Sequence, residues 1–168
     1  PHFFFNTLNT VASLIVVDPD KAERLLLDLA QLFRVVLNND DSLIALNDEI
    51  AFGRQYLSIE QVRLGEERLT VEWDLPTPMP AIKVPQLLLQ PLLENAVYHG
   101  IQPSIEGGYI RISLKQEQQL WRLSIANSLV HGANTEGHQI AHKNIHARMA
   151  VLGRSARLQL EHNEAEYV

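Results

Sequence analysis

The stretch LLLQPLLENAVYHG, from Leu87 to Gly100, decides how the fold is interpreted. Most of its positions are apolar, yet it carries Glu94, Asn95 and His99 close together. On a helix, residues 95 and 99 share one face and residue 94 lies beside it. Polar groups in so apolar a helix need partners. In one interpretation they cap or bridge neighbouring elements, as most buried polar groups do. In the other they form a nucleotide site, where the amide oxygen and the carboxylate are hard ligands for Mg²⁺, an ion that prefers few protein ligands together with phosphates.

The boundaries of this segment are predicted from its flanking residues. Residues from Pro85 to His99 have the pattern of one long apolar helix. Gly100 follows directly and is typical of a helix C-cap. Pro91 falls inside the segment, where we expect it to remove the backbone hydrogen bond to the Leu87 carbonyl and to kink the helix. The polar cluster is therefore predicted on a long, kinked helix.

The N-terminal segment, which opens with PHFFFN, is predicted to be an amphipathic helix. Its apolar positions recur at helical spacing: Phe4, Leu8, Val11 and Ile15. A second, polar stripe recurs at the same spacing: His2, Asn6, Asn9 and Ser13. His2 therefore belongs to a polar face of the helix, although aromatic residues follow it directly in the chain.

A second helix is predicted immediately after the first. Asp18 can cap its N-terminus and Pro19 suits its first position. An apolar stripe follows, ending at the polar residues 38–41: Ala22, Leu25, Leu26, Leu29, Leu32, Phe33 and Val36. Two amphipathic helices joined by a tight turn make a hairpin that buries little by itself, whereas two hairpins make a four-helix bundle. We therefore expect a homodimer.

The rest of the chain predicts an α+β fold in two parts, with a boundary near residue 64. A further helix is expected to start near Asn47 and to run towards Leu64. Alternating residues then predict strands at 68–73, 109–114 and 120–125, followed by a loop at 130–137, a helix at about 141–152 and a short strand at 157–160. Residues 1–64 are predicted to form the helical dimerisation part, and residues 65–168 a mixed part.

Composition narrows the class of protein. The chain has 168 residues with 46% hydrophobic residues, which is enough for a packed core. Its net charge of −6 argues against direct binding of nucleic acid, which favours basic surfaces. Cysteine is absent, so disulfides and thiolate metal sites are excluded. No apolar run approaches the roughly 20 residues that span a bilayer.

Three motifs in this order resemble the LytS-type sensor histidine kinases. PHFFFNTLN, residues 1–9, resembles the phosphoacceptor box of that family. Residues 29–37 and 46–69 resemble its linking region. VPQLLLQPLLENAVYHGI, residues 84–101, resembles its N box. The resemblance covers nearly the whole chain, and the branch that includes the AlgZ/FimS-like alginate regulators is similar in its loose nucleotide motifs.

The resemblance implies a two-part kinase. A dimeric helical hairpin would carry the phosphoacceptor His2, and an α/β sandwich of the gyrase, Hsp90 and histidine-kinase type would bind ATP. Asn95 would hold Mg²⁺ against the phosphates, Glu94 would position water or the attacking group, and His99 would face the phosphates. A response regulator would receive the phosphoryl group on an aspartate. The resemblance further implies a membrane anchor upstream, with this part at the cytoplasmic face of the bacterial inner membrane.

Two motifs depart from the pattern of the family. Asn127, in IANSLVHG, stands where an aspartate usually reads adenine, and an uncharged amide is a weaker acceptor. In QIAHKN, residues 139–144, Gln139 and Ala141 replace glycines while Asn144 is kept. Gly137 lies nearby and can supply backbone freedom next to phosphates.

Three hypotheses follow from these matches and departures. The first is an active histidine kinase that uses ATP and Mg²⁺. The second is a degenerate module that regulates its partner by binding it, with little ATP turnover. The third is a free-standing ATPase of the same superfamily, against which the phosphoacceptor box argues. Separately, three histidines at helical spacing suggest a metal site, although an ordinary solvated helix surface is the default interpretation: His138, His142 and His146.

Overall fold

The N-terminal hairpin is present as predicted. The computed structural model describes residues 2–37, 43–128 and 166–167, with side chains described for 3–37 and 43–128. Helix α1 spans His2–Val17 and helix α2 spans Pro19–Leu37. The Asp18 carboxylate accepts a hydrogen bond from the Lys21 backbone N–H at 3.0 Å, which satisfies one of the free donors at the start of α2. The predicted cap is confirmed.

The apolar residues of α1 do not form one buried stripe. Thr7 and Val11 are buried, whereas Ile15 is 58% exposed near the end of the helix. Phe4 and Leu8 line an open groove between α1 and α2. The reason is that α1 packs against α2 on one side and against a third helix on another, so two faces of the helix carry apolar residues for different neighbours.

Helix α3 connects the hairpin to the sheet region. Strand β1, Leu43–Ala45, leads directly into α3, Leu46–Leu64, which confirms the helix predicted near Asn47. Helix α3 ends at Gly65, whose φ of 104° lies in the left-handed region that favours glycine. Contacts of α3 reach α1 and α2 on one side, and the sheet region on the other. The boundary at residue 64 therefore stays a prediction.

The strands form two sheets among the described residues. Strand β1 pairs antiparallel with β3, Lys83–Pro85. The larger sheet has the order β2-β4-β5-β6, from Leu69–Asp74, Gly108–Glu117, Leu120–Ser128 and Glu166–Tyr167. Strands β2 and β4 are parallel, and the other neighbours are antiparallel. The strands predicted at 68–73, 109–114 and 120–125 are confirmed.

The central apolar segment differs from its prediction. Helix α4 spans only Gln90–Ala96 and continues as a π-helix over Val97–Ile101. Pro91 lies in the first turn of α4, where no backbone donor is required, so the predicted kink is wrong. Gly100 lies inside the π-helix, so the predicted C-cap is also wrong. Residues before Gln90 are not α-helical, because Leu87 has a φ of 58°.

Helices α3 and α4 and the π-helix form a layer against the larger sheet. Alternating residues of β4 face this layer and are buried: Ile110, Ile112 and Leu114. This arrangement confirms an α+β fold. The predicted loop at 130–137, helix at 141–152 and strand at 157–160 lie outside the described residues. Among the helices that are described, none has the length and apolar character needed to cross a membrane.

Candidate active site

Helix α4 is anchored at its start by a buried carboxylate of α3. Glu49 is 1% exposed. Its Oε2 accepts a hydrogen bond from the Leu87 N–H at 2.9 Å, and its Oε1 accepts one from the Leu89 N–H at 2.8 Å. Hydrogen bonds to an ionised acceptor are about twice as strong as neutral ones. Glu49 therefore holds the backbone in the left-handed turn at Leu87 and fixes where α4 begins.

Helix α4 also lies unusually close to α3. A Cβ atom added to Gly53 would lie 2.9 Å from Cδ1 of Leu93, which is closer than ordinary contact. Leu93 is completely buried. Gly53 therefore allows the backbone of α3 to approach the buried face of α4.

The three polar residues predicted on this segment lie on one continuous helical stretch. Glu94 is exposed and Asn95 is half-buried on α4, and His99 is half-buried on the π-helix. The Gln90 side-chain amide donates a hydrogen bond to Glu94 Oε1 at 3.0 Å. Single π-helical turns are frequent at functional sites. The structure thus brings Glu94, Asn95 and His99 together, although on a different type of helix from the one predicted.

Partial burial changes the protonation of His99. Desolvation disfavours the charged imidazolium and lowers the pKa of His99 below its ordinary value. The Tyr98 ring stands nearly perpendicular to the imidazole, with the ring centres 4.9 Å apart. Near pH 7 the His99 side chain is therefore mostly neutral.

We expect the imidazole C–H resonances of His99 to titrate with a midpoint below about 6.5, the ordinary histidine value. Because the folded-state pKa is lower than the unfolded one, the contribution of His99 to stability is complete above about pH 6.5 and is lost as pH falls through the folded pKa. An NMR pH titration measures this midpoint, with His99→Gln assigning the resonance. A midpoint at or above the ordinary value would contradict the prediction.

Asn127 lies beside the π-helix. It is 3% exposed on β5, and its side-chain amide donates a hydrogen bond to the Ser128 carbonyl at 2.8 Å. A Cβ atom added to Gly100 would collide with the Asn127 side-chain amide and would lie 2.8 Å from the Ser128 carbonyl oxygen. Gly100 therefore allows the π-helix to approach the end of β5, which places Asn127 next to the segment that carries His99.

A buried polar network on α3 was missed in the sequence. Tyr56 donates a hydrogen bond to Glu60 Oε1 at 3.3 Å, and Arg63 Nε donates one to Glu60 Oε2 at 2.8 Å. Burial raises the pKa of Glu60, and the Arg63 guanidinium opposes this. Burial, followed by the negative charges of Glu60 and Glu94, raises the pKa of Tyr56. The i, i+4, i+7 spacing of the three residues in YLSIEQVR is the signal that could have identified them.

The remaining predicted site residues divide into two groups. His2 is the first residue of α1, and its side chain is not described. The candidate lid residues and the candidate metal ligands lie outside the described residues: Gly137, Asn144, His138, His142 and His146. Within 2–37, 43–128 and 166–167, no group of three acidic, histidine or cysteine side chains could hold a metal ion.

Two solved structures share the fold of this chain, a helical pair followed by helices layered on a mixed sheet. The structure of the Acinetobacter baumannii histidine kinase AdeS aligns with a TM-score of 0.55 at 17% identity, covering 92% of this chain and 79% of that one. A bacterial phosphotransferase aligns with a TM-score of 0.54 at 14% identity, covering 99% and 88%. At such identities these similarities show the fold alone.

Sequence comparison is more specific. A family model described as Histidine kinase matches residues 1–69. The chain is 34% identical to the sensor histidine kinase YpdA of Escherichia coli K12 in an alignment that covers 90% of this chain and 28% of the relative. It is 35% identical over 128 residues to the sensor histidine kinase BtsS of the same strain, covering 76% and 23%. It is 31% identical over 129 residues to the sensor protein LytS of Staphylococcus epidermidis RP62A, covering 76% and 22%.

These relatives identify the chain as a homologue of the LytS-type sensor histidine kinases of two-component signal transduction. The resemblance to LytS-type kinases is thereby confirmed, whereas the finer resemblance to AlgZ/FimS-like regulators stays a prediction. The chain spans about a quarter of the length of these three relatives, 22% to 28%.

Proposed function

We propose that the chain transfers the γ-phosphoryl group of ATP to His2 and passes it on to an aspartate of a response regulator. The observation that carries the proposal is the position of Glu94 and Asn95 on a short helix whose start is fixed by the buried carboxylate of Glu49. Phosphoryl transfer depends mostly on positioning and on neutralising charge. A helix fixed at its first turn supplies the required positioning.

The donor atoms on α4 suit Mg²⁺. The side-chain oxygen of half-buried Asn95 is a hard, uncharged ligand, and Mg²⁺ prefers one or two protein oxygens together with phosphate oxygens. When bound, Mg²⁺ neutralises charge on the phosphates. Glu94 orients the attacking group from its exposed position beside Asn95. The mostly neutral His99 imidazole can hydrogen-bond to the phosphates without adding charge of its own.

Asn127 is the candidate residue for recognising adenine. Its Nδ2 group is engaged by the Ser128 carbonyl, which leaves recognition of an adenine amino group to its acceptor oxygen Oδ1. An amide oxygen lacks the charge of the aspartate usual in the family, so we propose that ATP binds but more weakly. Gly137 and Asn144 are proposed to contact the phosphates from the predicted lid.

A second copy of the chain is the proposed occupant of the groove between α1 and α2. Apolar side chains of both helices line this groove: Phe4, Leu8, Leu26, Leu29, Phe33 and Leu37. Leu26 and Leu37 are 47% and 71% exposed in the single chain. Pairing two hairpins through these faces would bury them in a four-helix bundle. The partners proposed are thus an identical chain and a response regulator.

We also propose that the chain works at the cytoplasmic face of the bacterial inner membrane, attached through an upstream region. Its substrates on this proposal are ATP with Mg²⁺ and a regulator protein, with no direct contact to nucleic acid. The net charge of −6 supports the last part, because nucleic-acid surfaces favour basic proteins.

Calorimetric titration with Mg-ATP tests the nucleotide site. We expect saturable binding that depends on Mg²⁺ and falls more than about 100-fold in Asn95→Ala, since even outer-shell partners of a metal are worth about 10- to 100-fold in affinity. Asn47→Ala, which removes an exposed asparagine from α3, is the matched control and should bind normally. Absence of binding up to millimolar ATP would overturn the kinase proposal in favour of a module that signals by contact.

A further inference from the structure

The first turn of α1 packs against the chain's own α3. The centres of the Phe3 and Tyr56 rings are 4.9 Å apart with an angle of 53° between their planes, within the range of favourable aromatic pairs. One turn later, Thr7 is completely buried, and its hydroxyl donates a hydrogen bond to the Phe3 carbonyl at 2.8 Å. Val11 continues the same face at 7% exposure. We name this face, Phe3, Thr7 and Val11, the docking face.

Tyr56 connects the docking face to α3, the helix that packs against α4, where Glu94 and Asn95 lie. Tyr56 lies on α3, is 2% exposed, and contacts Phe3 of the docking face. Its hydroxyl donates a hydrogen bond to Glu60 on α3, and α3 packs against α4, where a Cβ atom added to Gly53 would lie 2.9 Å from Cδ1 of Leu93. Because His2 directly precedes Phe3 in α1, the backbone of His2 lies in the turn that contacts this part of the same chain.

The docking face and the open groove lie on different sides of α1. Phe3, Thr7 and Val11 contact or face the chain's own core, whereas Phe4 and Leu8 line the groove towards α2. A second copy can therefore cover the groove without displacing Phe3 from Tyr56. Dimerisation through the groove leaves the first turn of α1 in each chain against α3 of that same chain, and α3 is the helix that packs against α4.

We propose that the Phe3–Tyr56 contact docks the phosphoacceptor helix on the nucleotide-binding part of its own chain, so that phosphoryl transfer occurs within one chain and not between the two chains of a dimer. This inference rests on the proposed kinase function. In the transfer, an imidazole nitrogen of His2 forms the new bond to the γ-phosphorus, the bond from that phosphorus to the bridging oxygen of ATP breaks, and ADP leaves.

Pairs of variant chains distinguish the two routes. One chain carries His2→Gln and lacks the proposed phosphoacceptor. The other carries Asn95→Ala and lacks the proposed Mg²⁺ ligand. Mixed and incubated with ATP labelled at the γ-phosphate, they should remain unlabelled. Labelling of the Asn95→Ala chain would show transfer between chains and would overturn the proposal.

A second pairing gives a positive signal for the proposed route. Co-expression of an unmodified chain with a double variant, His2→Gln and Asn95→Ala, under two affinity tags yields mixed dimers. We expect the unmodified chain in them to be labelled at the same rate per acceptor as in the unmodified protein. Loss of labelling in the mixed dimer would overturn the proposal, whereas absence of labelling in the unmodified protein would overturn the proposed function and this inference with it.

Removing the aromatic contact tests the docking face itself. We expect Phe3→Ala to lower the labelling rate about 10-fold or more while leaving the affinity for Mg-ATP unchanged, since misplacement of reacting groups by about 1 Å can cost about 100-fold. Val16→Ala shortens a side chain that is 87% exposed at the far end of α1, outside the phosphoacceptor box, and should leave the rate unchanged. Phe3→Tyr, which keeps the ring, should retain labelling. An unchanged or increased rate in Phe3→Ala would show that the contact does not promote transfer.

Discussion

Replacing His2 with glutamine is expected to abolish labelling of the protein by ATP that carries a radioactive γ-phosphate. A neutral imidazole nitrogen has a free electron pair and is a competent nucleophile near pH 7. The nitrogen of the glutamine amide shares its electron pair with the carbonyl group and cannot replace it. Label in the unmodified protein should be lost in acid and retained in alkali, as expected for a phosphorus–nitrogen bond on imidazole.

The measurement compares label per chain in the unmodified protein and in His2→Gln at saturating Mg-ATP. Calorimetry on the same samples should give equal affinities for Mg-ATP, because His2 lies on α1 and not on α4. The chain has seven histidines, so His162→Gln, outside the phosphoacceptor motif, is the matched control and should be labelled normally. Full labelling of His2→Gln would assign the acceptor to another residue.

Glu49→Ala is expected to have the largest effect on stability. It leaves the backbone N–H groups of Leu87 and Leu89 without their acceptor in a buried place. Each hydrogen bond to a charged group contributes about 1.5–3 kcal/mol, so we expect the free energy of unfolding to fall by about 3 kcal/mol or more. Urea unfolding monitored by circular dichroism measures the change.

The neighbouring Asp48→Ala is the matched control for Glu49→Ala. Asp48 is an exposed acid in the same first turn of α3, so its loss removes only a favourable interaction with the helix dipole, at most about 1 kcal/mol. Glu49→Gln should lie between the two variants, because its amide keeps one acceptor oxygen but presents an N–H group to the second donor. Equal losses for Glu49→Ala and Asp48→Ala would show that the two hydrogen bonds do not anchor α4.

Local sequence patterns predicted those elements whose boundaries depend on nearby residues. The hairpin follows from helical spacing and from the cap at Asp18, and the strands from alternation. The start of α4 was mispredicted because it depends on Glu49, which is 38 residues away from Leu87 in the chain. Residues 85–99 fit helical spacing well. That spacing contains no information about Glu49, whose carboxylate accepts hydrogen bonds from the backbone N–H groups of Leu87 and Leu89.

In the candidate site, the residues that belong to sequence motifs were predicted, whereas the residues that act from another helix were not. Motif resemblance indicated Glu94, Asn95, His99 and Asn127, and the structure places all four on the helical segment or the strand beside it. The residues that position them were missed because both act between helices. In the sequence, Glu49 resembles an ordinary acid in the first turn of a helix and Tyr56 an ordinary buried aromatic residue. The roles of the four residues, and of His2, Gly137 and Asn144, stay predictions.

The spacing of two contacts along α3 has a mechanical consequence. Glu49 holds the start of α4, and Tyr56 contacts Phe3 of α1. They are seven residues apart, which is about two helical turns or ~10 Å along one side of the helix. A helix of this length behaves as a stiff rod. A rotation of the hairpin that preserves its contacts with α3 must therefore turn α3 and carry the first turn of α4 with it. Movement imposed on the hairpin thus has a direct route to Asn95.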